Sequence, residues 1–406
     1  MLKSFARRQA VTKHFTSNFP AETKTQPPNL LGLTAAGLAI VAATYGLARY
    51  CFGLFLPEIR QEFALSTETI GLIAGLSYAG YLIATFAGSW LSTMVGPRLP
   101  IFLGGLSATA GMTLIGLSQS PEILAIGVFV AGMSPGLAYP PFSDVIVHHI
   151  ETRRQNAIYA WINSGTGFGV ALAGPLALLA SEDWRLAWLI FAGLAGLFTI
   201  WNMMILPRNS PKHGKMSGVP ISELLNPAAR PLFAAALLFG VVTAIYWTYA
   251  VDLLLAITDN PAAAVVFWIV LGTAGITGCF AGGLVNRWGL RSSYGLLLIL
   301  IGGAIATLPV AASIPSGIYY SAASFGAGFI ITTALFGMWS MRIFRNTPSI
   351  GFGLTFFLIS LGQGIGPVAG GYLAPQFGLP AVFVSAGLLC FVLALFRPAG
   401  KFHGHN

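Results

Sequence analysis

The 406-residue chain is 8% charged and 55% hydrophobic, where an ordinary soluble domain is about 25% charged. That leaves too little polar surface for a water-soluble protein of this size and excludes most soluble enzymes and binding modules. The formal net charge of +9 is spread between apolar runs instead of forming a patch, so it reads as membrane orientation, and no nucleic-acid partner is expected.

In chain order, residues 1–29 open with "MLKSFARRQAVTKHF", which is basic, has spaced apolar residues and lacks acids. The segment shares these traits with transit peptides but has no apolar core of a secretory signal, so a cytoplasmic tail is expected. The chain then divides into about twelve apolar runs, near 33–56, 69–94, 99–118, 122–147, 157–180, 186–206, 231–256, 262–285, 292–312, 317–340, 351–373 and 380–397. Each is long enough to cross a ~30 Å hydrocarbon core as a helix rising ~1.5 Å per residue.

The first run contains "ATYGLARYCFG", with Arg49 as its one charge. A guanidinium near a helix centre in lipid costs at least about 2.5–3.5 kcal/mol unless it has a partner. The second run ends in "SWLSTMVGPR", which carries Gly96 and Arg98. The fourth holds "GMSPGLAYP" and Asp144, with His148, His149 and Glu151 at its edge. That spacing reads as a loop edge and not as a metal site, and no metal or other cofactor is expected. The fifth contains Asn163 and Gly174-Pro175, and Trp184 and Trp188 near the sixth read as interfacial anchors. A hydrophilic segment, 207–230, follows. The seventh run carries "AIYWTYAVDLL", with Tyr246, Trp247, Tyr249 and Asp252. The eighth ends in "GGLVNRWGLR", with Gly282, Asn286, Arg287, Gly289 and Arg291. The eleventh contains "GQGIGPVAGG", with Gly362, Gln363, Gly366, Pro367 and Gly370. Cys51, Cys279 and Cys390 lie in three separate runs, which supports no disulfide framework.

Two features repeat. Ser89 and Gly282, which open the two basic segments, are 193 positions apart, and the Gly-Pro pairs at 174 and 366 are 192 apart. Two unrelated motifs with nearly one offset imply an internal duplication of six runs plus six, a transporter architecture. With the N-terminus inside, every Lys and Arg except Arg49, Arg60 and Arg185 falls at a cytoplasmic end, which puts both termini in the cytoplasm.

On these motifs the chain resembles the major facilitator superfamily from about residue 30 to 397. Asn286, Arg287, Gly289 and Arg291 match the superfamily's G-x-x-x-D-R-x-G-R-R loop with Asn for Asp, and a degraded first copy keeps Gly96 and Arg98. "GLARYCFGLFLPEI" and "INSGTGFGV" are similar to a bacterial branch, the YbfB/YjiJ-type transporters. The resemblance implies an all-α membrane protein of twelve transmembrane helices in two pseudo-symmetric six-helix lobes. The expected divisions are a tail 1–29, lobes 30–206 and 231–397, a linker 207–230 and a tail 398–406. It further implies a monomeric secondary transporter of the bacterial inner membrane, by symport or antiport, with protons as the candidate coupling ion. The basic loops are candidate latches, with Asp144 facing Arg98 or Arg154; alternatively Asp144 pairs with His148. Gly174-Pro175 and the Gly362–Gly370 motif read as an antiport signature or as plain helix packing.

Arg49 lies about 12 Å below the outer edge. Three readings compete for it: an ion pair with Asp252, an anionic substrate with Tyr45, Tyr246, Trp247 and Tyr249 as aromatic wall, or a structural role against carbonyls. Asn163 and Gln363 are further candidates for substrate contact, and Asp252 for proton coupling. The chain lacks G-x-x-x-x-G-K-[ST] and a G-x-S-x-G elbow, which argues against ATP coupling and against an enzyme. A multidrug or sugar efflux antiporter and a transporter-like sensor are the alternatives.

Overall fold

Backbone inside hydrocarbon must satisfy its own N–H and C=O groups, so the apolar runs form helices. The structure, a computed structural model, describes residues 30–180, 183–207, 227–258, 260–314, 316–344, 348–396 and 398. The expected tail 1–29, most of the linker 207–230 and the end of the tail 398–406 lie outside the described residues. Helix α1 spans Leu30–Val41 and continues as a π-helix, Ala42–Tyr50, and a 3-10 turn, Cys51–Gly53. A short helix α2 covers Leu56–Phe63 and ends at Ala64 in the left-handed region (φ 48°). There follow α3 Thr67–Val95, α4 Arg98–Gly116, α5 Pro121–His149, α6 Thr152–Leu179 and α7 Trp184–Ile205. The second half contributes α8 Arg230–Thr258, α9 Pro261–Gly275, α10 Ala281–Thr307, α11 Gly317–Ile343, α12 Pro348–Phe377 and α13 Leu379–Leu393.

Ten helical stretches among the described residues are long and apolar enough to cross a membrane, and α13 is a shorter apolar helix. One stretch, Pro261–Ser313, is 53 residues long and is broken at Gly289. Gly289 (φ 76°, ψ 158°) and Gly96 (φ 87°, ψ 168°) share one backbone conformation, 193 positions apart. Only glycine enters this region without strain, so both basic loops keep it. The two turns match at the same offset as the basic motifs that contain them.

Close helix contacts are made through glycines, since in lipid apolar side chains gain little by packing on each other. A Cβ at Gly362 of α12 would lie 1.9 Å from the Leu237 carbonyl of α8, and one at Gly366 2.3 Å from that of Val241. Gly370 faces the Tyr249 ring, and Gly174 faces Ile269. Pro175 and Pro367 lie inside α6 and α12 without breaking them. Across the halves α3 packs on α12 and α6 on α9.

Candidate functional site

Arg49 lies in the last turn of the π-helical segment of α1, where the wider i→i+5 turn re-aims side chains; such turns are frequent at functional sites. It is 5% exposed. Its Nη2 donates to Gln363 Oε1 on α12 at 2.9 Å, while its Nε has no partner. The guanidinium lies 4.1 Å from the Tyr81 ring centre, 4.7 Å from Tyr78, 5.5 Å from Tyr45 and 5.6 Å from Tyr50. Four ring faces at such distances each attract the cation by about 0.5–2 kcal/mol. They hold it in place of a counter-charge.

Around it, the Tyr45 hydroxyl bonds that of Tyr81 at 3.2 Å, and Tyr50 stacks on Trp247 of α8 at 4.3 Å. Arg49, Tyr50, Ser77, Tyr78, Trp247 and Thr248 line one small cavity. It has room for about one water molecule.

The structure therefore brings Arg49, Tyr45, Trp247 and Gln363 together. It separates the others. Tyr246 is fully buried among Phe325, Phe267 and Phe383, with its hydroxyl 2.7 Å from Ser321 Oγ, so it belongs to the packing of α8 on α11 and not to the wall around Arg49. Tyr249 donates to the Pro367 carbonyl at 2.7 Å. Asn163 is half-buried on α6, outside the cavity.

The ion pair expected between Arg49 and Asp252 is not formed. Asp252 Oδ2 accepts from Arg60 Nη1 of α2 at 2.7 Å, and Arg60 Nη2 donates to Thr67 Oγ1. Helix α1 stops at Gly53 and α2 turns Arg60 toward α8, which aligning the ends of two unbroken helices did not anticipate. Nearby, Glu62 accepts from Arg185 Nη1 and from Trp184 Nε1. The Arg185 guanidinium holds the Glu62 carboxyl below its ordinary range. Trp184 and Trp188 are buried, at 5% and 0% exposure, and so are not lipid-facing anchors.

At the opposite ends, Asp144 accepts from Ser92 Oγ of α3 at 2.7 Å, Arg98 donates to the Met203 carbonyl, and Arg154 lies 3.8 Å from Glu151. Asp144 thus ties α5 to α3, and His148 Nδ1 lies 2.7 Å from its backbone carbonyl. Asn286, Arg287 and Arg291 are exposed and Gly282 is half-buried. Ser77, Tyr78 and Tyr81 of α3 were missed from sequence, although polar and aromatic residues spaced i, i+1 and i+4 mark one helix face.

The model of the Major Facilitator Superfamily matches residues 38–359. The chain is 26% identical to human monocarboxylate transporter 11 over 389 residues, covering 88% of this chain and 80% of that one. To the probable sulfoacetate transporter SauU of Cupriavidus necator it is 22% identical over 192 residues, covering 46% and 45%. To the glycerol-3-phosphate transporter of Haemophilus influenzae it is 24% identical over 195 residues, covering 44% and 40%. The chain thus spans under half the length of two of these relatives. The fold overlays the nucleoside transporter NupG (D323A mutant) with a TM-score of 0.73 at 10% identity, over 90% of this chain and 98% of that one. These relatives are multi-pass membrane transporters and not enzymes, and with most of its length matched this chain belongs to the Major Facilitator Superfamily.

Proposed function

We propose that the chain is a secondary transporter that moves a small organic anion across the cytoplasmic membrane of a bacterium, with Arg49 as the anion site. The observation that carries this reading is a cation that is 5% exposed, has one neutral hydrogen-bond partner and is paired with no carboxylate among the described residues. A buried charge of that kind is costly unless something neutralises it part of the time. The names of three relatives point the same way: monocarboxylate, sulfoacetate and glycerol-3-phosphate are all anions.

Transport proceeds by alternating access between two six-helix lobes, 30–206 and 231–397, with twelve crossings and both termini in the cytoplasm. Closure at the outer end is supported by Arg60 on Asp252 and by Tyr249 on Pro367. Asp252 is the proton-coupling candidate, because protonation removes the charge that holds Arg60. The "GLARYCFGLFLPEI" and "INSGTGFGV" segments favour the YbfB/YjiJ-type branch. The unit is a monomer.

The test is uptake by proteoliposomes of organic anions, sugars and cationic dyes, with and without a pH gradient. Anion uptake that depends on Arg49 is expected, and uptake stimulated by the gradient that is lost in Asp252→Asn. Dye or sugar uptake untouched by Arg49→Ala would favour an efflux antiporter.

A further inference from the structure

Buried hydrogen-bonding atoms nearly always have partners, and an unmatched one costs about 1–3 kcal/mol. Ten side-chain nitrogen or oxygen atoms among the described residues are buried without one. Four of them belong to residues that line or adjoin one cavity. Arg49 Nε, Ser77 Oγ and Trp247 Nε1 belong to residues lining the same cavity, and Gln363 Nε2, on the side chain bonded to Arg49, has only the cavity-lining Tyr50 hydroxyl beside it. None of the residues bearing the other six lines that cavity. All four residues are at most 5% exposed.

The chemistry of the four is one-sided. A guanidinium N–H, an indole N–H and an amide NH₂ can only donate, and the serine hydroxyl can do so. The one acceptor Gln363 offers, its Oε1, is already taken by Arg49. Charge is one-sided too, because Arg49 is the single charged residue of the lining. One negative charge is matched there, and a second would stand uncompensated in a low-dielectric site.

We infer that Arg49, Ser77, Trp247 and Gln363 together form a donor ring for a monoanionic head group that brings acceptors only, a carboxylate or a sulfonate. The inference rests on the anion-transport reading and narrows it. An amide brings N–H groups that meet donors, and a dicarboxylate brings a charge that meets no cation. With room for about one water molecule in this conformation, the head group enters as α1, α3 and α8 part, and it draws them together once seated.

The test is binding of a matched series to the full-length chain in detergent at pH 7.5, read by tryptophan fluorescence: propionate, benzoate, ethanesulfonate, malonate and propionamide. The monoanions are expected to bind, malonate at least ~10-fold more weakly, and propionamide not measurably. Ser77→Ala, Trp247→Phe and Gln363→Leu are each expected to weaken propionate and ethanesulfonate ~5- to 30-fold. Trp188→Phe, which removes an unpartnered buried indole elsewhere, leaves binding unchanged. Melting curves confirm that each variant is folded, and the ligand series on the unmodified chain needs no variant. Malonate bound as tightly as propionate, or three donor variants that bind normally while Arg49→Ala does not, overturns the donor ring but spares the anion reading. No binding by any anion overturns both.

Discussion

Arg60 on α2 and Asp252 on α8 meet at 2.7 Å although 192 positions separate them. That separation is within one residue of the 193 between Gly96 and Gly289, the two glycines with matching turns. Residues at equivalent positions of a duplicated chain touch only close to the axis that relates the copies. On the proposed two-lobe architecture the pair sits where the lobes meet.

Breaking this pair shifts the balance between outer-closed and outer-open forms. The side chains are 37% and 14% exposed, and pairs so placed contribute about 0.2–1 kcal/mol, a shift of about 1.5- to 5-fold in population. Asp252→Asn should speed maleimide labelling of a cysteine at Thr248, added from the outside in a background lacking Cys51, Cys279 and Cys390. Exchanging the two charges, Arg60→Asp with Asp252→Arg, should restore slow labelling.

Arg49→Ala should reduce anion uptake at low substrate by about 10- to 100-fold, the loss of one charge-assisted hydrogen bond set. Arg49→Lys should recover part of it, since lysine keeps the charge but not the planar fork that serves Gln363 and a substrate together. Initial rates in proteoliposomes measure both, and equal rates for all three proteins would remove the anion site.

Glu62 gives a pH signature outside the membrane. Its carboxyl is held low by Arg185, so its stabilising effect is fully present above the ordinary glutamate value of about 4.3 and is lost as pH falls through the lower folded value. Glu62→Gln should lower the melting temperature at pH 7 by about 1–3 °C. Near pH 3 the two proteins should melt together.

Gly362→Ala should destabilise the chain, because its methyl would collide with the Leu237 carbonyl at 1.9 Å. Overpacking of this kind costs about 1–3 kcal/mol. Gly283→Ala, with nothing within 4 Å of an added Cβ, should melt as the unmodified chain does.

Much of the site was legible before the fold. Arg49 stood out as a lone charge in an apolar run, and Gln363, with Asn163, as a polar residue at similar depth; the structure joins Arg49 to Gln363 at 2.9 Å and leaves Asn163 outside the cavity. The offset of the motifs held more than was drawn from it. Applied to Asp252, a shift of 193 leads to position 59, beside Arg60, whereas aligning helix ends led to Arg49. The error came from taking α1 as one straight α-helix, when it passes through π and 3-10 turns and stops at Gly53.

The sequence by itself determined that the chain crosses a membrane many times, that two of its motifs recur at one offset, and that one buried cation needs a reason. Hydropathy, spacing and charge act along the chain and are read there. Which side chain faces which is decided by helix rotation and by how closely backbones approach. The π and 3-10 turns of α1 give Arg49 to a ring of tyrosines of α1 and α3 and to Gln363 of α12, and leave Asp252 to Arg60. Only the assembled helices fix that rotation, because it depends on glycines such as Gly362 and Gly53 meeting backbone nearly two hundred residues away or more than a hundred before them.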